Sequence, residues 1–245
     1  MRDYYYDLHT HSCLSPCGGD DSTPAAIAGM AKLAGLDIIA LTDHNSSKNC
    51  PAFFEAARAY GIVPVAGMEL TTSEDIHAVC LFESLDDAMR FDAEIDSRRM
   101  KISNRPDIFG EQLILDSDDN EIGRVNTLLT VATDISIDGL REITDRFSGV
   151  CYPAHIDRDA NGIIAVLGTI PEDADFDFYE IHDADHIPEF SKRYGIAKER
   201  FIISSDAHYL DGIKDRENYF SLDCDGDDET TVRRALFEYL RRYHR

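Results

Sequence analysis

The chain contains no tryptophan, no CxxC pair, and no apolar run approaching the ~18 residues that a membrane-spanning helix needs. The missing run excludes an ordinary membrane span. The start, "MRDYYYDLH", lacks the basic-then-apolar layout of a secretory signal, so the cytoplasm is the expected compartment. Basic residues are scarce: 24 Lys and Arg stand against 47 Asp and Glu, for a net charge of −23. Such a surface repels polyanions and argues against binding long nucleic acid through a basic face. Small phosphorylated ligands remain compatible with it where cations gather locally. The six cysteines (13, 17, 50, 80, 151, 224) are scattered, which predicts reduced core or site thiols rather than a disulfide framework. Neither an internal repeat nor a Pro/Ser-rich linker interrupts the 245 residues, and a single domain over 1–245 is expected.

What is present is an alternation of short apolar strands with helices. "YYYDLH" reads as a strand ending at His9. "TPAAIAGMAKLAGL" reads as a helix with Thr23 as N-cap, Pro24 at the first helical position and Gly35 as terminator. "DIIALTDH" is the next strand, "PAFFEAARAYG" a helix, "IVPVAGMEL" and "DIHAVCLF" strands, and "LDDAMRFDAEIDSRRM" a helix. The alternation predicts a parallel α/β fold. From about 97 to 138 the rhythm breaks into an inserted excursion, with a hairpin expected around "DSDDN". It resumes with strands "GVCYPAHID", "FDFYEIHD" and "RFIISSDAHY", then a final helix "ETTVRRALFEYLRRY".

Histidines and acids fall where these strands end. His9 and His11 follow the first strand, His44 the second, Glu69 ends the third and His77 starts the fourth; His155, Asp206 and His208 follow later ones. Loops that follow the strands of a parallel α/β fold share one face, and that face hosts the site. Residues i and i+2 of an extended segment point the same way, so "HTH" can present two imidazoles to one ion and "DAH" a carboxylate and an imidazole. Nitrogen and carboxylate donors without paired thiolates suit zinc, manganese or iron, and Glu69 has two oxygens with which to bridge ions. His182 and His186 in "EIHDADH" read as surface residues, and His244 as a solvated tail residue.

The motifs "DLHTH", "LTDHN", "GMEL", "IHAV", "PAHIDR" and "SSDAH", in this order, resemble the PHP (polymerase and histidinol phosphatase) family, and "HTHSCLSPCGGDDSTP" with "TDHNS" looks like its stand-alone bacterial phosphoesterases. The resemblance implies a distorted, TIM-like seven-stranded β/α barrel with up to three divalent ions at the C-terminal rim. It would give His9, His11, Glu69 and Asp206 to a first ion and Glu69, His77 and His155 to a second. His44 and His208 would hold a third with one more ligand from the "SPCGGDD" loop. The family's usual His or Asp is replaced there by Cys17, so either Cys17 or Asp20 is the expected ligand. Asp43 is expected to orient a neighbouring ligand. Arg158 matches a family arginine that contacts substrate phosphate.

The chemistry such a site supports is phosphoester hydrolysis by a water that the cations acidify, with His9, Glu69 and Asp206 at its centre. Small phosphomonoesters are the expected substrates, nucleotides such as AMP or a 3′,5′-nucleoside bisphosphate among them. Arg158 and Arg124 are candidate substrate contacts, against surface ion pairs as the plain alternative. A 5′→3′ exonuclease on short RNA or DNA is the competing activity, and a non-catalytic metal-binding or polymerase-associated module the competing class. The amidohydrolase barrel also opens with HxH but bridges its ions with a carboxylated lysine, and here Glu69 holds that place.

Overall fold

The computed structural model describes residues 1–171, 174 and 176–243. His244 lies outside the described residues. The elements run β1 (Arg2–Asp7), α1 (Pro24–Leu33), β2 (Ile38–Leu41), α2 (Cys50–Tyr60), β3 (Val63–Thr71), β4 (His77–Phe82) and α3 (Leu85–Arg98). Then come α4 (Pro106–Phe109), β5 (Leu113–Leu115), β6 (Glu121–Arg124), α5 (Leu140–Asp145), β7 (Gly149–Pro153) and α6 (Ile163–Leu167). The chain finishes with β8 (Tyr179–Ile181), α7 (Ile187–Tyr194), β9 (Phe201–Ile203), β10 (Tyr219–Leu222) and α8 (Glu229–Leu240).

Local chemistry sets the helix ends. Thr23 accepts the Ala26 N–H at 3.2 Å and Pro24 begins α1. Gly61, at φ 69°, closes α2 in the left-handed conformation that glycine adopts without strain.

The main sheet has the order β10-β1-β2-β3-β4-β7, and β8 and β9 form a separate parallel pair. A bridge between Thr10 and Ala207 links the exit of β1 to the segment after β9, so the strand ends gather around one opening. The sheet is α/β and curled, as a TIM-like half-barrel, and its two faces have separate cores. Ile39, Leu41, Phe53, Phe54 and Phe91 pack under the helices. Tyr6, Leu8, Ile38, Val65, Val79, Tyr152 and Ile202 fill the inner face against Leu236, Phe237 and Leu240 of α8. Each such apolar side chain contributes about 1.5–3 kcal/mol on burial.

The parallel expectation fails in two places. β4 runs antiparallel to both β3 and β7, and β10 antiparallel to β1. Residues 72–76 are too few for a crossover helix, so the chain can only turn back on itself. The reversal helps the site, because the end of β3 and the start of β4 now share one edge, with Thr71 opposite His77. The insertion holds the expected hairpin, β5 against β6, with the Asp116 carboxylate accepting the Asp118 and Asn120 N–H groups in the turn. It docks on the loop after His11 through the Leu113 N–H to Cys13 carbonyl bond. No helix among the described residues is long and apolar enough to cross a membrane.

Candidate metal centre

The strand exits deliver the imidazoles and carboxylates to one buried cluster. His9 and His11 leave β1 in extended backbone, and their Nε2 atoms lie 3.1 Å apart. His44 follows β2 and is bridged to Glu69 of β3. Glu69 lies at the centre. Its Oε1 is 3.4 Å from His9 Nε2, 2.9 Å from His77 Nδ1 and 3.0 Å from His155 Nε2. Its Oε2 is 3.3 Å from His11 Nε2 and 2.9 Å from His44 Nδ1. Asp206 Oδ1 lies 3.1 Å from His11 Nε2 and 3.3 Å from His9 Nε2, and the His208 ring stacks on His11 at 4.1 Å. His155 and Asp206 sit at φ 27° and 51°, a left-handed backbone that costs a non-glycine residue energy and marks both as held by their surroundings.

A second layer aims the rings. The His9 Nδ1–H donates to Glu180 at 2.9 Å and leaves Nε2 directed at the cluster. The His11 Nδ1–H donates to Ser15 Oγ at 3.0 Å, and Ser15 donates onward to Asp43 at 2.7 Å. Asp43 also accepts the Ser12 N–H and hydroxyl, both at 2.7 Å, and so ties down the loop that follows His11. Asp7, fully buried, accepts the Ser205 N–H at 3.0 Å and ties the first strand to the loop that carries Asp206.

Electrostatics separate the rings into two kinds. Burial works against protonation of His9, but Glu180, Asp206 and Glu69 outweigh it and hold its pKa well above the usual value. His11 is likewise buried, yet Asp206 and Glu69 lift it to about 9. Burial pushes His44 down to about 4, and burial with the charge of His11 pushes His208 to about 3. Burial opposes ionisation of Glu69 and Asp206, but the imidazoles around them keep both below the ordinary carboxylate range.

The donor set fits divalent cations. Donor atoms of His9, His11, Glu69 and Asp206 lie within 4.8 Å of one another, as do those of His11, His44 and His208, and of His44, Glu69 and His77. His44 Nδ1 and Glu69 Oε2 are buried and 2.9 Å apart, yet neither finds a hydrogen-bond partner in acceptable geometry. Buried polar atoms left without hydrogen-bond partners call for an explanation, and a nitrogen and a carboxylate oxygen this close fit a cation as their common partner.

Other expected residues divide. Arg158 donates through Nη1 to Asp206 Oδ2 and faces the site, rather than pairing with Asp157 or Asp159. Arg124 does not reach it: the guanidinium lies on the exposed hairpin, bound to Glu121 at 2.6 Å and to Glu111. Glu121 on β6 and Glu111 just before β5 explain this, since pairing at the hairpin needs no distant contact. Asp20 is exposed and belongs to none of the converging donor groups among the described residues. Cys17 is exposed and also outside those groups, although partial desolvation of its sulfur and then the charge of Glu69 push its thiol up to about 12. His186 is a surface residue paired with Asp157, as expected, whereas His182 is half-buried against Arg158 at 3.2 Å. Glu180, Asp7 and Ser15 are not among the sequence motifs' expected ligands, and only the structure brings them to the cluster. The signal for Glu180 and Asp7 was a charge inside a buried run, in "FDFYEI" and "YYYDL".

Comparison with known proteins agrees with this geometry. A 67-residue stretch is 42% identical to the error-prone DNA polymerase of Nocardia farcinica, covering 27% of this chain and 6% of that polymerase. The fold is similar to the lesion-specific endonuclease Q of Pyrococcus furiosus, with a TM-score of 0.63 at 16% identity over 95% of this chain and 55% of that one. It is also similar to a candidate metal-dependent phosphoesterase from Bifidobacterium adolescentis, with a TM-score of 0.59 at 16% identity over 94% and 95% of the two chains. This chain therefore spans a small part of the polymerase and just over half of endonuclease Q. The PHP domain profile matches residues 7–170, from the aspartate before His9 to beyond His155 and Arg158, and the chain belongs to the PHP domain family.

Proposed function

We propose that this protein is a metal-dependent phosphoesterase that hydrolyses small phosphomonoesters, nucleotides such as AMP or a 3′,5′-nucleoside bisphosphate being the first to test. The observation that carries the reading is Glu69, whose two oxygens meet five imidazoles at 2.9–3.4 Å in a buried pocket. His9, His11, Glu69 and Asp206 would hold a first ion, Glu69, His77 and His155 a second, and His44 with His208 a third. Manganese, zinc or iron suits these donors. Such ions supply Lewis acidity toward phosphoryl oxygens and lower the pKa of water at the site. The protein's own part is orientation: Glu180 and Ser15 fix the His9 and His11 rings, and Arg158, braced on Asp206, offers its guanidinium to a phosphate at the rim.

A second reading is cleavage of short RNA or DNA from the 5′ end. Its support is the fold shared with endonuclease Q, which has been solved with a 27-mer duplex carrying an abasic lesion, at a TM-score of 0.66. The net charge of −23 weighs against a long polyanion. The test is phosphate release from a phosphomonoester panel with added Mn²⁺, run beside a 5′-labelled oligonucleotide and metal analysis of the purified protein. Turnover of the panel is the expected result. Trimming of the oligonucleotide alone would favour the second reading. Bound metal with no turnover of either would favour a non-catalytic module.

A further inference from the structure

His182 is held on three sides. Its N–H donates to Asp157 Oδ1 at 2.8 Å, its carbonyl accepts from Lys214 Nζ at 3.1 Å, and its ring Nδ1 lies 3.2 Å from Arg158 Nη2. A guanidinium only donates, so Nδ1 must be the acceptor and the ring proton must sit on Nε2. Burial, then the positive charges of Arg158 and Lys214, lower the pKa of the ring and keep it neutral at pH 7. Arg158 also donates to Asp206, so one connected arm runs from the candidate metal centre to His182.

Beyond the arm lies a cleft of about 300 Å³, lined by His182, Asp183, Lys214, Glu217 and Asn218 among others. The Lys214 ammonium gives one of its three hydrogens to the His182 carbonyl, and the exposed carboxylates of Asp183 and Glu217 outnumber its single charge. That wall disfavours a second anion. It suits hydroxyls, which donate to carboxylates and accept from the Nε2–H and from an amide.

We propose that His182 is a substrate-positioning residue whose Nε2–H donates to a hydroxyl of the alcohol being released, and that this cleft selects phosphomonoesters of sugars and polyols, nucleosides among them, over esters bearing a second anion. The proposal rests on the phosphoesterase reading above and narrows its substrate class to the monophosphate.

The test uses the full chain loaded with Mn²⁺, as wild type, His182→Leu and His182→Gln, with AMP, 2′,3′-dideoxy-AMP and adenosine 3′,5′-bisphosphate. In the wild type, removing the ribose hydroxyls should lower kcat/KM about tenfold, the loss expected for one or two hydrogen bonds. His182→Leu should raise KM for AMP by about the same factor, with kcat little changed, and should abolish the preference over the dideoxy compound. His182→Gln, whose amide places an N–H near Nε2, should restore most of it. An unchanged AMP-to-dideoxy ratio in His182→Leu, or preference for the bisphosphate, would overturn the proposal. Calorimetric binding of the non-hydrolysable phosphonate analogues of AMP and dideoxy-AMP makes the same comparison without turnover, so a wild type that binds them with discrimination but releases no phosphate from AMP defeats the phosphoesterase reading alone. Equal binding of the two nucleotides, or binding of neither, defeats the role of His182. Circular dichroism and metal content establish that both variants fold.

Discussion

Glu180 offers the sharpest test of how this site is built, because it touches no expected substrate and yet aims a central imidazole. Its carboxylate accepts the His9 Nδ1–H at 2.9 and 3.1 Å through its two oxygens and the His155 N–H at 3.1 Å through Oε1. It is 1% exposed, so water cannot replace it. Glu180→Gln keeps the shape but removes the charge and puts an NH₂ in place of one oxygen. A hydrogen bond to a charged group is worth about 1.5–3 kcal/mol and a neutral one about 0.5–1.5. The loss is therefore about 1–1.5 kcal/mol at His9, roughly tenfold in any equilibrium that needs the ring in place. Partners of metal ligands ordinarily cost 10–100-fold in affinity or activity when replaced, and the low end of that range is expected here. Glu180→Ala is harsher, because it strands two buried N–H donors and should destabilise the fold as well by about 1–3 kcal/mol for each. The assay is metal retention against a chelator titration, with phosphate release and a thermal melt alongside. If Glu180→Gln holds metal and turns over substrate like wild type, the orientation argument is wrong.

Further outcomes follow from the same geometry. His9→Ala or Asp206→Ala should abolish phosphate release while leaving the circular dichroism spectrum intact; equal activity with unchanged metal content would refute their assignment. Arg158→Ala should raise KM for phosphomonoesters about tenfold, because a charge-assisted phosphate contact is lost in ground and transition states alike, and an unchanged KM and kcat would leave it an ion pair to Asp206 only. Metal loading should depend on pH. Carboxylates raise His9 and His11 above their usual values, and the 3.1 Å between their Nε2 atoms is the spacing of a shared proton, so binding an ion expels proton from the pair and apparent affinity rises with pH, up to about tenfold per unit for each proton displaced. A flat affinity between pH 6 and 8 by calorimetry would contradict this. Cys17→Ser and Asp20→Asn should both leave the ion count by native mass spectrometry unchanged, since neither residue joins the converging donors; loss of one ion in either variant would identify it as a ligand.

Most of the candidate ligands were legible in the sequence because they follow a strand, where an apolar run gives way to polar residues, whereas Glu69 lies near the end of β3 and His77 opens β4. "DLHTH" placed His9 and His11 together because residues i and i+2 of an extended segment point the same way, whereas in "SSDAH" the left-handed backbone at Asp206 sends Asp206 and His208 to different donor groups. Thr23, Pro24 and Gly61 marked helix ends because caps and left-handed stops depend on residues a few positions away. The reversed direction of β4 was harder to see, since "DIHAVCLF" looks the same whichever way it runs. Only the shortness of 72–76 carries that information. Arg124 shows the converse error, because a lone arginine in a hairpin reads as available until the carboxylates of Glu111 and Glu121 are found beside it.

What the sequence hid most completely is the layer behind the ligands. Glu180 reaches His9 across 171 positions and Asp7 reaches Ser205 across 198, and no local pattern encodes such a pairing. Yet both residues left a trace, a carboxylate within an apolar strand where burying a charge without a partner costs several kcal/mol. A charge retained at that cost implies a donor opposite it, and in each case the donor belongs to the cluster or to the loop that delivers it. The same reasoning separates His182 from His186. Both follow β8 and both bond to Asp157, but the His186 ring stays exposed on that carboxylate while the His182 ring meets Arg158, which is paired to Asp206. Direction along the strand could not distinguish them, and the cation already paired to the candidate metal centre does.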